Sequence, residues 1–106
     1  MDLPDEDVIR EAAKKQILFL PHAILQMSRP DRMISTTEVR ETVLTGEVIE
    51  KYLQDQREES FLIFGKPAGD RVIHVVCSPK KEYLAIITAY LPDPELWSSD
   101  FKVRKR

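Results

Sequence analysis

The sequence predicts an α+β fold: two to three N-terminal helices packed on a four-stranded antiparallel meander. Three observations carry this. Helical periodicity and helix caps are confined to the first half of the chain, and β-prone runs divided by turn residues fill everything after Gly46. The connections between those runs are short, whereas parallel crossovers need about a dozen residues or more.

The first helix is expected over residues 4–15. Pro4 suits an opening turn, Asp5, Glu6 and Asp7 match the positive end of the helix dipole, and Lys14 and Lys15 match the negative end. Val8, Ile9, Ala12 and Ala13 share one apolar face. The run Ile17-Leu18-Phe19-Leu20 fits a short buried strand or a helix extension equally well, and periodicity does not separate the two. Pro21 opens a second helix over 22–28, with Ile24 and Met27 on one face, and Pro30 ends it by disfavouring helix at Arg29. Ser35 and Glu38 form an S-x-x-E capping box that starts a third helix running to about Leu44, with Val39 and Val43 inward and Gly46 as its stop.

Strands are then expected at Val48–Leu53, Phe61–Phe64, Val72–Cys77 and Tyr83–Leu91. They are divided by a polar loop at 54–59, a turn at 66–70 and a turn at Pro79-Lys80-Lys81. Pro92-Asp93-Pro94 breaks the last strand, and Asp93 is placed to cap a short turn holding Leu96 and Trp97. The helices should cover one face of the sheet and leave the other open for a site.

Composition narrows the class. The 106 residues suit a single domain, and 42% hydrophobic content is globular. The division reads as an N-terminal extension with a helix at 1–19, a core at 20–98 and a basic tail at 99–106. One cysteine, Cys77, excludes an internal disulfide framework and fits a reducing cytosol. The acidic start Asp2-Leu3-Pro4-Asp5-Glu6-Asp7 is unlike a secretory signal, and no run is long enough for a membrane span, so a cytoplasmic protein is expected. Net charge is −2 overall. Lys102-Val103-Arg104-Lys105-Arg106 nevertheless concentrates four basic side chains, leaving 12 basic against 18 acidic elsewhere. That tail reads either as a solvated terminus or as a hook for phosphates or an acidic partner.

No metal-ligand spacing, glycine-rich phosphate loop or serine-hydrolase elbow occurs, and no cofactor is implied. Cys77, beside Val75 and Val76, reads as a small buried hydrophobe. His74 interrupts an apolar strand, on the face shared by Val72 and Val76 and opposite that of Ile73, Val75 and Cys77. With Pro79 opposite Tyr83, His74 pairs with Thr88 and Val72 with Tyr90; a loop one residue different pairs His74 with Ile87. His74 therefore reads as a general acid or base, or as a hydrogen-bonded core histidine. His22, at a helix start, is a second such candidate, or simply a residue bonding nearby backbone. Arg29 and Arg32 flank Pro30-Asp31 and suit phosphate, unless Asp31 and Glu38 pair with them. Lys80 and Lys81 are turn cations, and Trp97 and Phe101 either stack on bases or pack against the sheet.

Several ordered strings resemble an uncharacterised prokaryotic family carrying only a domain-of-unknown-function label, often grouped with the RelE and BrnT toxins. They are His22-Ala23, Met27, Arg32-Met33-Ile34-Ser35, Glu38-Val39, Gly46 through Tyr52, Arg71 through Val76, Ile86 through Asp93, and Trp97. The resemblance covers about residues 20–98 and implies helices on a small antiparallel sheet. It further implies a RelE/BrnT-like toxin that cleaves RNA, neutralised by an antitoxin-type protein. His22, Arg32, His74, Thr88 and Tyr90 are the positions carried over. His74 would then be base or acid, Arg32 the stabiliser of charge on phosphorus, and Tyr90 or Thr88 an orienting hydroxyl, with Arg29, Lys80, Lys81, Lys102 and Arg104 binding RNA. The alternative function is a non-catalytic module on the same fold that binds protein or a small ligand, with His74 bonded inward.

Overall fold

The computed structural model describes residues 3–53, 59–69 and 71–105. Most of the expected 54–59 loop, Asp70 of the following turn, Asp2 of the acidic start and Arg106 of the basic tail lie outside the described residues. Helix α1 spans Asp5–Lys15, with its acidic first turn and its two lysines at the dipole ends that suit them. It buries Ile9, Ala12 and Ala13. Strand β1 (Ile17–Phe19) follows at once, and α2 (Pro21–Met27) begins at its proline. Helix α3 (Thr36–Thr45) is set by Ser35: its hydroxyl accepts from the Glu38 amide at 3.0 Å, and the Glu38 carboxylate accepts from the Ser35 amide at 2.9 Å. The remaining strands are β2 (Glu47–Leu53), β3 (Glu59–Gly65), β4 (Ile73–Pro79) and β5 (Leu84–Tyr90).

The sheet is five-stranded and mixed, in the order β1-β5-β4-β3-β2. This corrects the four-stranded antiparallel meander expected from the sequence. Strands β2 to β5 pair antiparallel in succession, but β1 adds on the far edge, parallel to β5, through Ile17↔Leu84 and Phe19↔Ile86. The apolar run after α1 is thus a strand, and the whole stretch from α2 to β4 separates it from β5, long enough for the two to lie parallel.

All three helices pack on one face. Ile9, Ala23, Met27, Val39 and Val43 meet Phe61, Ile63, Ile73, Val75, Cys77, Leu84 and Ile86 in one core. Cys77 is fully buried, and burial pushes its thiol up to about 12, in keeping with a packing role. Two long-range bonds seat α1: Glu6 accepts from the Val48 amide at 3.0 Å, and Arg10 donates to the Gly46 carbonyl at 3.1 Å. No described helix is long and apolar enough to cross a membrane.

Candidate functional site

The opposite face of the sheet carries the polar cluster, and its register is not the one expected. Strand β5 bulges: Val76 pairs with Thr88 but Cys77 pairs with Ile86, so Ile87 has no partner residue on β4. The turn also places Pro79 opposite Leu84. Together these bring Tyr90, and not Thr88, opposite His74. Phe64 flanks His74 from β3.

His74 is fully buried. The cover is the segment after β5, residues 92–105, hereafter the strap. Asp93 starts it as the sequence suggests, accepting from the Glu95 amide at 2.8 Å and, through its carbonyl, from Trp97 at 3.1 Å. Trp97 lies edge-on to the His74 ring, centroids 4.6 Å apart, and is itself buried. The Phe101 carbonyl lies 2.8 Å from His74 Nε2. A carbonyl only accepts, so Nε2 carries the proton, Nδ1 is the free acceptor, and the Tyr90 hydroxyl donates to it at 3.3 Å. Burial holds the imidazole below its ordinary value and favours this neutral form. Burial likewise pushes the Tyr90 hydroxyl up to about 12, which keeps it a neutral donor.

Beside this pair lies a charged group of which sequence reasoning named only Arg104, as an RNA contact, and missed Glu50 and Tyr52. The Glu50 carboxylate accepts from Arg104 Nε at 2.8 Å and from the Tyr52 hydroxyl. Arg104 also stacks 4.7 Å over the Trp97 ring. Burial works upward on Glu50, but the bonds from Arg104 and Tyr52 outweigh it and hold the carboxyl below its usual range. Burial, and then the Glu50 contact, raises Tyr52. Glu50 was hidden by a bulge between Val48 and Glu50: Val48 packs toward the core, whereas Glu50, opposite Leu62, and Tyr52 turn to the other face. Strict alternation would have put all three on one side. The signal that was available is an acidic and a phenolic residue two apart in a β-run.

The other expected site residues do not join this cluster. His22 is exposed in the first turn of α2, on the helical side of the sheet. Arg32, in the loop between α2 and α3, donates to Gln26 at 3.2 Å. His22 thus sits on a helix, and Arg32 between two helices, that pack on the face of the sheet opposite His74. Arg29 pairs with Asp31 at 3.4 Å. Glu38, expected to pair with that loop, instead takes Arg71 at 3.0 Å, and that bond chiefly lowers its carboxyl. Arg71 also donates to the Arg32 and Met33 carbonyls, so it ties the loop to α3. Lys81 is exposed, and its carbonyl accepts from Lys15 at 2.8 Å. Lys80 lines a cavity of about 240 Å³ with Leu20, Ser60, Ser78, Ala85 and Ile87. Lys102 pairs with Glu47 at 3.0 Å and sits 4.9 Å over the Phe64 ring. Among the described residues no group of three or more His, Cys, Asp or Glu is placed to hold a metal ion.

In chemical terms the face offers an imidazole bonded to one phenol, and a carboxylate bonded to a guanidinium and a second phenol, the two groups meeting at the Trp97 ring. No curated protein and no solved structure matches the chain. One family model does, over residues 19–91, so that α1 and the strap flank the matched stretch. The chain belongs to the family described as Domain of unknown function (DUF4258).

Proposed function

We propose that this chain is a RelE/BrnT-like toxin domain that cleaves RNA, with its chemistry on the sheet face away from the helices. The observation that carries the reading is the placing of two bonded groups, His74 with Tyr90 and Glu50 with Tyr52 and Arg104, against the same Trp97 ring. Cleavage by the neighbouring 2′-hydroxyl forms a bond from that oxygen to phosphorus and breaks the bond from phosphorus to the 5′ oxygen. A base takes the hydroxyl proton, an acid protonates the leaving oxygen, and a cation stabilises charge on the phosphoryl oxygens. His74 and Glu50 are the base and acid candidates, Tyr90 and Tyr52 orient them, and Arg104 takes the charge-stabilising part first assigned to Arg32. Lys102 adds a phosphate contact on the same segment.

The test is incubation of purified protein with structured and ribosome-bound RNA, beside folded His74→Ala and Glu50→Gln variants. Cleavage lost in both variants supports the reading. Cleavage that persists in both removes this face from the chemistry. No cleavage by any form favours the second reading, a non-catalytic binding module. Two observations speak for that one: both ring nitrogens of His74 are bonded inside the protein, and the 240 Å³ cavity beside Ser60 and Ser78 offers a separate place for a ligand.

A further inference from the structure

We infer that the strap, residues 92–105, is a displaceable cover that holds the His74–Glu50 site shut. The inference deepens the RNA-cleaving reading and rests on it for its biological meaning, but its geometry stands separately.

The strap is closed on itself. Its backbone bonds run from Ser98 to Val103 and from Lys105 to Leu96, and Trp97 bridges Arg104. Among the described residues no backbone-to-backbone bond ties it to the sheet. It is held there through side chains: the Trp97 ring against His74, the His74 bond to the Phe101 carbonyl, Lys102 on Glu47 and Arg104 on Glu50. It can therefore lift as a unit without breaking its own bonds or the sheet ladder.

Two features weaken its hold. Phe101, whose carbonyl caps His74, has φ 61, a left-handed backbone that a bulky side chain rarely adopts. The two ionic latches have exposed partners, with Arg104 56% and Glu47 56% accessible, so salt screens them. Against these stands the burial of Trp97, which makes the closed form the dominant one. Pro92-Asp93-Pro94 forms the stiff root about which the strap would swing. Opening frees three groups at once: His74 Nε2, the Glu50 carboxylate and the Arg104 guanidinium. In the closed form Nε2 is spent on the Phe101 carbonyl, and Glu50 and Arg104 on each other, which is the arrangement of a site switched off by its own chain.

The experiment is the rate of ethoxyformylation by diethyl pyrocarbonate at each histidine, read by peptide mass. The chain has two histidines, and exposed His22 serves as the internal control. In the wild type, His74 should react far more slowly than His22. Raising salt from about 0.02 to about 0.5 M, or making the Lys102→Ala/Arg104→Ala double variant, should speed His74 about tenfold with His22 unchanged. A His74 rate unmoved by both makes the strap a permanent wall and overturns the inference. Should the double variant fail to fold by circular dichroism, the salt response of the wild type decides alone. The readout involves no RNA. Opening without RNA cleavage would leave the cover standing and sink the nuclease, and cleavage without opening would do the reverse.

Discussion

His74 shows how one residue's surroundings decide its chemistry. The folded chain resists the imidazolium because the ring is buried and its free nitrogen already accepts from Tyr90. The unfolded chain takes that proton near the ordinary 6.5. Below that value the unfolded state binds more protons, so stability is full above it and is lost as pH falls through it. The slope from this one group is at most about 1.4 kcal/mol per pH unit. Glu38 and Glu50, held below 4.5, add their own loss only further down. Urea unfolding between pH 7 and 5 should therefore show a fall that His74→Gln flattens; an equal slope in the variant would remove His74 as its source. The facing of His74 away from Ile73 and Val75 was legible from alternation. Its partner Tyr90 was not, because the bulge at Ile87 shifts the register and nothing in a run of Ile, Ile and Thr marks which residue will be left out.

Among the elements, α3 was the most legible and β1 the least. Ser35 and Glu38 announce the helix start through local bonds that short-range sequence encodes directly. Ser35→Ala should cost about 1 kcal/mol, read as a shift of the urea midpoint with an unchanged slope. Gly46, the expected stop, is also a close-packed point. A Cβ there would lie 2.5 Å from both the Phe64 and Thr42 carbonyl oxygens. Gly46→Ala should destabilise by about 1–3 kcal/mol through forced displacement of backbone, and a neutral result by the same measurement would show that the joint between α3 and β2 yields. Strand β1 was ambiguous because its pairing partner lies far away in the chain, in β5. Three apolar residues carry no local mark of a parallel partner. Glu50 was missed for a related reason: a bulge, not a motif, turns it to the site.

For the whole molecule, the division of labour between the two faces matters most. The helical face is a continuous apolar core, and Ile73 at its centre is fully buried. Ile73→Ala should cost about 2–5 kcal/mol, seen as a large drop in thermal midpoint. The polar face is held by contacts of a different kind, so Lys102→Ala/Arg104→Ala should lower global stability by about 1 kcal/mol or less even as it exposes His74. A loss comparable to that of Ile73→Ala would mean the strap belongs to the core. The α+β class was legible because helix and strand patterns occupy separate halves of the chain. The crowding of the polar face was legible only as one of two readings of Trp97 and Phe101, packing against the sheet, since the cover consists of short turns whose landing place is set by tertiary contacts.

The parallel pairing of β1 with β5 also governs the order in which the chain is able to become structured. Strands β2 to β5 assemble from neighbours in sequence, so each hairpin closes a short loop. The β1 edge closes almost the longest loop in the chain, which raises contact order and delays its docking. During synthesis, Ile17, Leu18 and Phe19 emerge early and wait, unpaired and apolar, until Leu84, Ala85 and Ile86 have left the ribosome. That interval makes the N-terminal edge the part of the nascent chain most in need of shielding from other unfolded chains.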